Sequence, residues 1–459
     1  MLTRMRTRIL LLISAVAMTC CAMSAFSQQA PPLIPPDERF KADILLVVAH
    51  PDDETMISSY LARAYYDEGK RVAVIYGTRG DVGGNSVGQE QATALGAVRE
   101  IEARRAMAAL GVMNVWFLGA PDTPGQDVLR SLETWRHGAA LEQVVRLVRL
   151  TRPEVIFTWL PCYVAGENHD DHQAAAVLAT EAFDSAGDPT VFPSQVSPPR
   201  ERTRISNLTE GLRPWQPKKL YFFSDASHTD FLEGKGPRYS PKDISPSRKV
   251  PYAQLAAVAA MQHQTQGEVA QLAKQAIETG NFSALDELGG FVFGKSLVKG
   301  SPTGDIFEGV TAAPVSFSPV RGYKPEPRSG VSLELGGPWA FYREFWRAHN
   351  LDHLSLLVSP EVSVASGQPL NVPLVIRNDT GSDIEAKLTT ELATGWTERT
   401  RFASYPVPAH QAYPVQLVLV APGGHAKEWH ELKWKIEVDG KPAGTVKLRV
   451  LISTGGLPQ

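Results

Sequence analysis

The feature that most constrains this chain is an aliphatic run, Ile44-Leu45-Leu46-Val47-Val48, that stops at Ala49-His50-Pro51-Asp52-Asp53-Glu54. A short unbroken apolar run is what a strand buried on both faces requires, and such strands belong to parallel sheets covered by helices. The polar residues at its end fall where open α/β sheets place their ligands. From Thr55 to Glu68 the apolar residues Met56, Ile57, Tyr60, Leu61 and Ala64 recur at helical spacing, which puts the polar cluster in the turn between strand and helix. Such a turn can aim His50 and Asp53 at one point while Asp52 faces it from the side. One imidazole and one carboxylate make half of a catalytic zinc site, with the second carboxylate free to act as base.

The arrangement recurs. Glu154-Val155-Ile156-Phe157-Thr158-Trp159-Leu160 is another strand-like run, followed by Asn168-His169-Asp170-Asp171-His172 and a helical pattern from Gln173 to Phe183. Corners of this kind meet in space if their strands are neighbours where the strand order reverses, and His172 then supplies a third ligand. Each cluster also has a purely structural reading, since an Asp at a helix start caps backbone N–H groups. That reading accounts for one carboxylate at a corner. It does not account for a His with paired carboxylates followed by a second His and Asp cluster.

Around these corners strand and helix patterns alternate: Val72 to Tyr76, helix Ala97 to Leu110, Val115 to Leu118, helix Leu141 to Leu150, and later Leu220 to Phe223. Alternation implies right-handed crossovers and a Rossmann-like, mainly parallel α/β sheet with helices on both faces, over residues 41–240. Gly77, Gly80, Gly83 and Gly84 fit neither the dinucleotide fingerprint nor the Walker loop, and read as a flexible substrate loop. The Pro-, Ser-, Arg- and Thr-rich stretch between Phe183 and Trp215 is either a flap beside the site or a disordered excursion. Tyr252 to Thr279 reads as helical, and His263 within it is either a packed residue or a contributor to the site. With the Gly- and Pro-rich segment that follows, it makes residues 241–350 a helical extension and connector.

From Leu351 the period changes to two. Alternating runs at Asn371 to Arg377, Lys387 to Leu392, Val415 to Val420, Leu432 to Val438 and Thr445 to Ile452 are separated by turn clusters such as Asn378-Asp379-Thr380-Gly381 and Asp439-Gly440. Residues 351–459 are therefore expected to form an accessory immunoglobulin-like β-sandwich. It should be dispensable for chemistry on small substrates unless it shares a large apolar interface with the catalytic domain. Its Trp396, Trp429 and Trp434 are core residues or line a sugar-binding face.

A length of 459 residues fits two or three domains, and 43% hydrophobic with 21% charged residues is enough to bury sizeable cores. The net charge of −3 gives no electrostatic reason to expect nucleic acid or an acidic membrane surface as partner. At the start, Arg4, Arg6 and Arg8 precede the apolar run Ile9 to Met18, and Ala25-Phe26-Ser27 offers small residues for a signal peptidase. Residues 1–27 thus read as a cleaved export signal and 28–40 as a proline-rich linker. The protein is expected to be periplasmic or secreted, meeting the membrane only through that signal. Met18-Thr19 before Cys20 and Cys21 fits a lipobox poorly, and once the signal is removed Cys162 stands alone, so no disulfide forms.

The pair His50-Pro51-Asp52-Asp53-Glu54 and His169-Asp170-Asp171-His172 resembles the PIG-L/LmbE-like zinc-dependent deacetylases, which remove acetyl groups from N-acetylglucosamine in glycolipids, thiol precursors and small oligosaccharides. The resemblance extends to Thr78-Arg79-Gly80-Asp81 with Gly83-Gly84, to Arg99 and Glu102, to Phe117-Leu118-Gly119 with Asp122, and to His263 to Gln266, where Thr265 replaces a serine. The family more commonly has Glu where Asp81 stands and Pro where Asp170 stands. The resemblance implies Zn2+ held by His50, Asp53 and His172, with Asp52 as general base. It implies that His169, kept protonated and oriented by Asp171, stabilises the oxyanion, and that Arg79 and Asp122 contact the sugar. The implied substrate is an N-acetylated amino sugar or glycoconjugate. Two other readings are an O-acetyl sugar esterase, because the same activated water attacks either carbonyl, and a metal-dependent sugar-binding surface protein without catalysis.

Overall fold

The computed structural model describes residues 35–165, 169–197, 211–226, 228, 230–283, 290–320, 328–357, 359–399, 401–424 and 427–453. The expected export signal, the first part of the linker, Asn168 and residues 198–210 lie outside the described residues.

The aliphatic runs are strands: β1 (Ile44–Val48), β2 (Val72–Tyr76), β3 (Asn114–Phe117), β4 (Val155–Trp159) and β5 (Lys219–Phe223). They lie in the order β3-β2-β1-β4-β5, all parallel. Every residue of β1, β2, β4 and β5 is buried, which is why these segments are continuously apolar. The crossovers run through α1 (Ser58–Tyr66), α2 (Ala92–Ala109), α3 (Val128–Thr134), α4 (His137–Thr151) and α5 (Asp170–Ser185). The strand order reverses between β1 and β4, where Leu46 lies opposite Phe157 and Val47 opposite Thr158. His50 and the residues after Trp159 therefore leave the sheet side by side, at the crevice such folds use for ligands.

Three expectations are corrected. Tyr252 to Thr279 is not one helix but α6 (Tyr252–Ala260) and α7 (Gly267–Thr279), with a turn over 261–266. Within the supposed connector, β6 (Val292–Ser296) pairs antiparallel with the outer edge of β5, so the α/β sheet extends past residue 240. The described part of the stretch after Phe183 is not a flap over the site. Arg149, near the end of α4, donates to the carbonyls of Ala186 (3.0 Å), Asp188 (2.7 Å) and Val191 (2.8 Å), fastening that part at the edge where β4 begins, opposite the site.

The C-terminal strands are β7 (Val331–Leu335), β8 (Glu361–Ala365), β9 (Pro369–Asn378), β10 (Ile384–Glu391), β11 (Thr397–Glu398), β12 (Ser404–Val407), β13 (Gln411–Val420), β14 (Glu428–Val438) and β15 (Lys441–Ser453). They form two sheets, β12-β10-β14-β15-β8 and β11-β13-β9-β7. Inward residues alternate along β9, and Trp396 and Trp434 are buried in the shared core, which is the packing role of an inner-face aromatic. β7 lies ahead of the expected start at Leu351, yet it pairs antiparallel with β9, with Leu333 opposite Ile376. A helix, α8 (Gly337–Ala348), follows it and leads back to β8.

Candidate metal centre

After β1 the chain turns over the sheet edge and enters a short 3-10 turn, Asp53–Ile57, before α1. Asp52 takes φ 102°, a conformation that costs energy for any residue with a Cβ and persists where neighbours enforce it. Here the enforcing bonds run from Thr55 N–H to Asp52 O (2.8 Å) and from Asp52 N–H to Glu54 Oε2 (3.1 Å). Asp53 Oδ2 accepts from the backbone N–H of Ala49 (2.8 Å) and His50 (3.0 Å) and from the indole Nε1 of Trp159 (2.7 Å). With that oxygen saturated, Oδ1 turns to His172 Nε2 at 3.1 Å and His50 Nδ1 at 3.7 Å. Burial opposes ionisation of Asp53, but His172 and His50 hold its carboxyl well below the usual range.

The two imidazoles are themselves supported. His172, in the first turn of α5, stacks on Trp159 with ring centroids 4.0 Å apart, and its Nδ1 faces Asp225 Oδ2 at 3.3 Å. Burial opposes protonation of His172, yet Asp53 and Asp225 push it up to about 10. His50 Nε2 faces Asp171 Oδ2 at 3.4 Å and Asp122 Oδ1 at 3.7 Å. Donor atoms of His50, His169 and His172 lie within 4.8 Å of one another, as do those of His50, Asp122 and Asp171. His50, Asp53 and His172 thus converge, each oriented by a group behind it. Two imidazoles and one carboxylate oxygen, its twin already occupied, make a donor set that fits zinc.

The other predicted residues divide. Asp52, half-buried beside this cluster, has its carboxyl pushed up to about 7 by burial and by the Asp53 charge. Asp122 joins the site: Val82 N–H donates to Oδ2 (2.9 Å), while Oδ1 is buried, has no hydrogen-bond partner among the described residues, and faces His50. His169 stands beside both imidazoles, its ring 4.0 Å from His172 and 4.9 Å from His50. The expected support of His169 by Asp171 is not met. Asp171 immediately precedes His172 on α5 and faces another side, accepting from Thr123 N–H (2.7 Å) and Ser131 Oγ (2.7 Å) as well as facing His50. The carboxylate facing His169 Nδ1 is that of Asp170, at 3.6 Å. Burial and the neighbouring imidazoles push His169 well below the ordinary histidine range, which opposes the protonation expected for it.

Arg79 lies in the loop after β2. Its Nε donates to Glu100 Oε2 of α2 at 2.7 Å and its guanidinium lies over the Phe117 ring, so among the described residues its partners come from outside the metal cluster. The glycine-rich loop beside it is pinned by Arg99, which donates to Gly80 O (2.6 Å) and Gly84 O (2.8 Å).

His263 falls in neither candidate metal group among the described residues. It is fully buried with Nε2 2.6 Å from Glu54 Oε1, while Glu54 Oε2 accepts from Tyr76 Oη (2.8 Å) and Asp52 N–H. Thr265 donates to Glu102 through N–H (3.0 Å) and Oγ1 (2.6 Å), and Gln266 Nε2 donates to Pro51 O (2.7 Å). These bonds break the helix at 261–266 and grip the metal-site turn from behind.

Trp159 and Asp225 were not foreseen as site residues, although they stand at or just past the carboxyl ends of β4 and β5, where the logic that found His50 also applies. Thr123 and Ser131 carry no sequence signal.

The chain matches the PIG-L family model, described as GlcNAc-PI de-N-acetylase, over residues 45–183. It is 36% identical over 165 residues to the 1D-myo-inositol 2-acetamido-2-deoxy-alpha-D-glucopyranoside deacetylase of Geodermatophilus obscurus, covering 33% of this chain and 55% of that one. With the protein of the same description from Rhodococcus erythropolis it shares 31% identity over 223 residues, 42% of this chain and 75% of that one. Among the first of these relatives the chain spans little more than half their length, 55% and 60% in two cases. A solved N,N'-diacetylchitobiose deacetylase from Pyrococcus horikoshii aligns at 17% identity over 59% of this chain and 87% of that one, with a TM-score of 0.38, a likeness too slight to carry a conclusion. The family model and the Rhodococcus erythropolis relative agree: the chain belongs to the PIG-L family.

Proposed function

We propose that the protein is a zinc-dependent hydrolase that removes the acetyl group from N-acetylated amino sugars. The observation that carries this reading is the division of labour between adjacent carboxylates: Asp53 Oδ1 lies between two imidazoles, while Asp52, half-buried at a left-handed turn beside it, makes no hydrogen bond or ion pair with either imidazole among the described residues, and burial and Asp53 push its carboxyl up to about 7. The relatives' description as deacetylases of a 2-acetamido-2-deoxy-glucopyranoside supports the substrate class. The basic and apolar N-terminal pattern supports an exported enzyme.

Zinc held by His50, Asp53 and His172 would supply Lewis-acid chemistry, acidifying a water and polarising the acetyl carbonyl. Asp52 accepts the proton of the attacking water on its carboxylate and returns it to the amine nitrogen as the C–N bond breaks, so that amide and water leave as acetate and amine. A carboxyl titrating near neutrality is suited to both transfers. Neutral His169 has one ring N–H to donate to the developing oxyanion, which needs no imidazolium. Asp122 Oδ1 offers an acceptor beside His50 for a sugar hydroxyl.

The test is to incubate metal-loaded protein with a panel of N-acetylated mono- and oligosaccharides, alongside O-acetylated sugars, and to assay free amine and acetate. Free amine that disappears on chelation is the expected result. Acetate from O-acetyl sugars alone would replace this reading with an esterase, and zinc binding without hydrolysis of either would leave a sugar-binding protein.

A further inference from the structure

Three loops carry the groups that orient the metal ligands: the one after β3 with Asp122 and Thr123, the one after β4 leading to His169 and His172, and the one after β5 with Asp225. Each is tied, within a few residues of those groups, to a single strand of the sandwich, β8. Ser363 N–H donates to Gln126 Oε1 at 3.1 Å. Ala165 N–H donates to Glu361 Oε1 at 3.2 Å, and His228 Nε2 faces the same oxygen at 2.9 Å. Glu361 has no solvent exposure, and its other carboxylate oxygen faces Arg449 of β15 at 3.4 Å. The Arg449 guanidinium lies 4.4 Å over the Trp429 ring, and His228 meets the same ring edge-on at 5.7 Å. Trp429, the one sandwich tryptophan outside the core, thus packs where the two domains meet. A carboxylate withdrawn from water at a domain boundary is costly unless every partner is in place, so this contact specifies geometry more than it buries surface.

We propose that Glu361 is a positioning residue of the metal centre. By holding Ala165 and His228 on one carboxylate oxygen, it sets the separation between the loop that delivers His169 and His172 and the loop that delivers Asp225. This rests on the metal site proposed above. The route from Glu361 to the ligand is short: His228 follows Asp225 closely in the chain, and Asp225 Oδ2 is 3.3 Å from His172 Nδ1. Trp159 holds the face of that imidazole, Asp53 meets Nε2 and Asp225 meets Nδ1, so a displaced Asp225 lets the ring turn and its Nε2 leave the metal. The sandwich is then part of the site's architecture, which reverses the expectation that it is dispensable for chemistry.

The test uses the full chain with Glu361→Gln, Glu361→Ala and His228→Ala, the last probing the contact from the catalytic side. Zinc affinity is measured by chelator competition, amide hydrogen exchange is followed in the metal-free protein over 160–165, 169–173 and 219–226, and kcat and KM are determined separately. Loss of an outer partner of a metal ligand, here Asp225, typically weakens metal binding by about 10–100-fold; Glu361 and His228 act through Asp225, so the lower end, roughly tenfold, is expected for Glu361→Gln and His228→Ala, with more for Glu361→Ala. Exchange should rise in these segments while β9 to β14 stay protected, and kcat should fall with KM little changed. Zinc affinity within about twofold of the parent, well short of that range, with unaltered exchange in a folded variant would overturn the proposal. Should Glu361→Ala fail to fold, the two milder variants decide it by the same measurements. A parent protein that binds zinc but hydrolyses no N-acetyl sugar would sink the proposed function and leave the affinity and exchange results to judge Glu361 alone.

Discussion

Asp52 and Asp53 are neighbours of one residue type whose environments differ, and substitution should separate them. Asp53→Asn loses the anionic oxygen that faces His172 and His50, and metal affinity should fall. Asp52→Asn should keep the metal and lose about 10²–10⁴-fold in turnover, as expected for a lost general base, with KM little altered. Metal analysis and steady-state kinetics on both variants decide this, and zinc loss in Asp52→Asn would refute the assignment. The same carboxyl predicts a pH dependence. Burial and Asp53 push it up to about 7, and it must be ionised to accept a proton. Activity should therefore fall as pH drops through and below about 7, with a bound cation moving this limb lower by favouring the charged form. In Asp52→Asn the limb should vanish from the residual activity. Trp159→Phe removes one of the N–H donors that saturate Asp53 Oδ2, and zinc affinity should drop by about tenfold or more while the stacked ring is kept.

At the scale of elements, the break between α6 and α7 is a tertiary device. Propensity favours continuing the helix, but His263, Thr265 and Gln266 make more by bonding Glu54, Glu102 and Pro51 than by staying in register. The His263 and Glu54 side chains have no exposure, so removing one leaves a buried polar partner without compensation. His263→Ala should destabilise the protein by about 3–5 kcal/mol in urea unfolding, the cost of breaking a buried pair. His263→Gln, which retains a donor toward Glu54, should recover part of that loss. Equal stability of His263→Ala and the parent protein would show that Glu54 finds another partner.

For the whole molecule, the boundary between α/β domain and sandwich is crossed by strand pairing as well as by Glu361. A chain cut at residue 350 keeps β7 without β9 and uncovers Leu333, Leu335 and Trp339, all buried in the sandwich core. An unpaired apolar edge of this kind promotes association. Size-exclusion chromatography should show the protein cut at 350 aggregating more than one cut at 320, and both should bind zinc more weakly than the full chain. Monomeric, tightly zinc-binding protein from the cut at 350 would restore the accessory reading.

The sequence by itself determined what a local period can encode. Runs buried on both faces had to be continuously apolar, which made β1, β2, β4 and β5 legible, and alternation at period two marked the long sandwich strands β9, β13, β14 and β15. Polar residues at a strand's carboxyl end made His50, Asp53 and His172 candidates, and they meet because β1 and β4 are adjacent at the reversal of strand order. Only the tertiary structure decided what depends on a partner distant in the chain. Asp171 turns to His50 and not to His169, Glu100 captures Arg79, His263 braces Glu54, and β6 and β7 join sheets their own half-polar patterns did not announce. Glu361 belongs with these: its neighbours in sequence mark only a strand, and its relation to the metal centre exists because Ala165, His228 and Arg449 are folded onto one buried carboxylate.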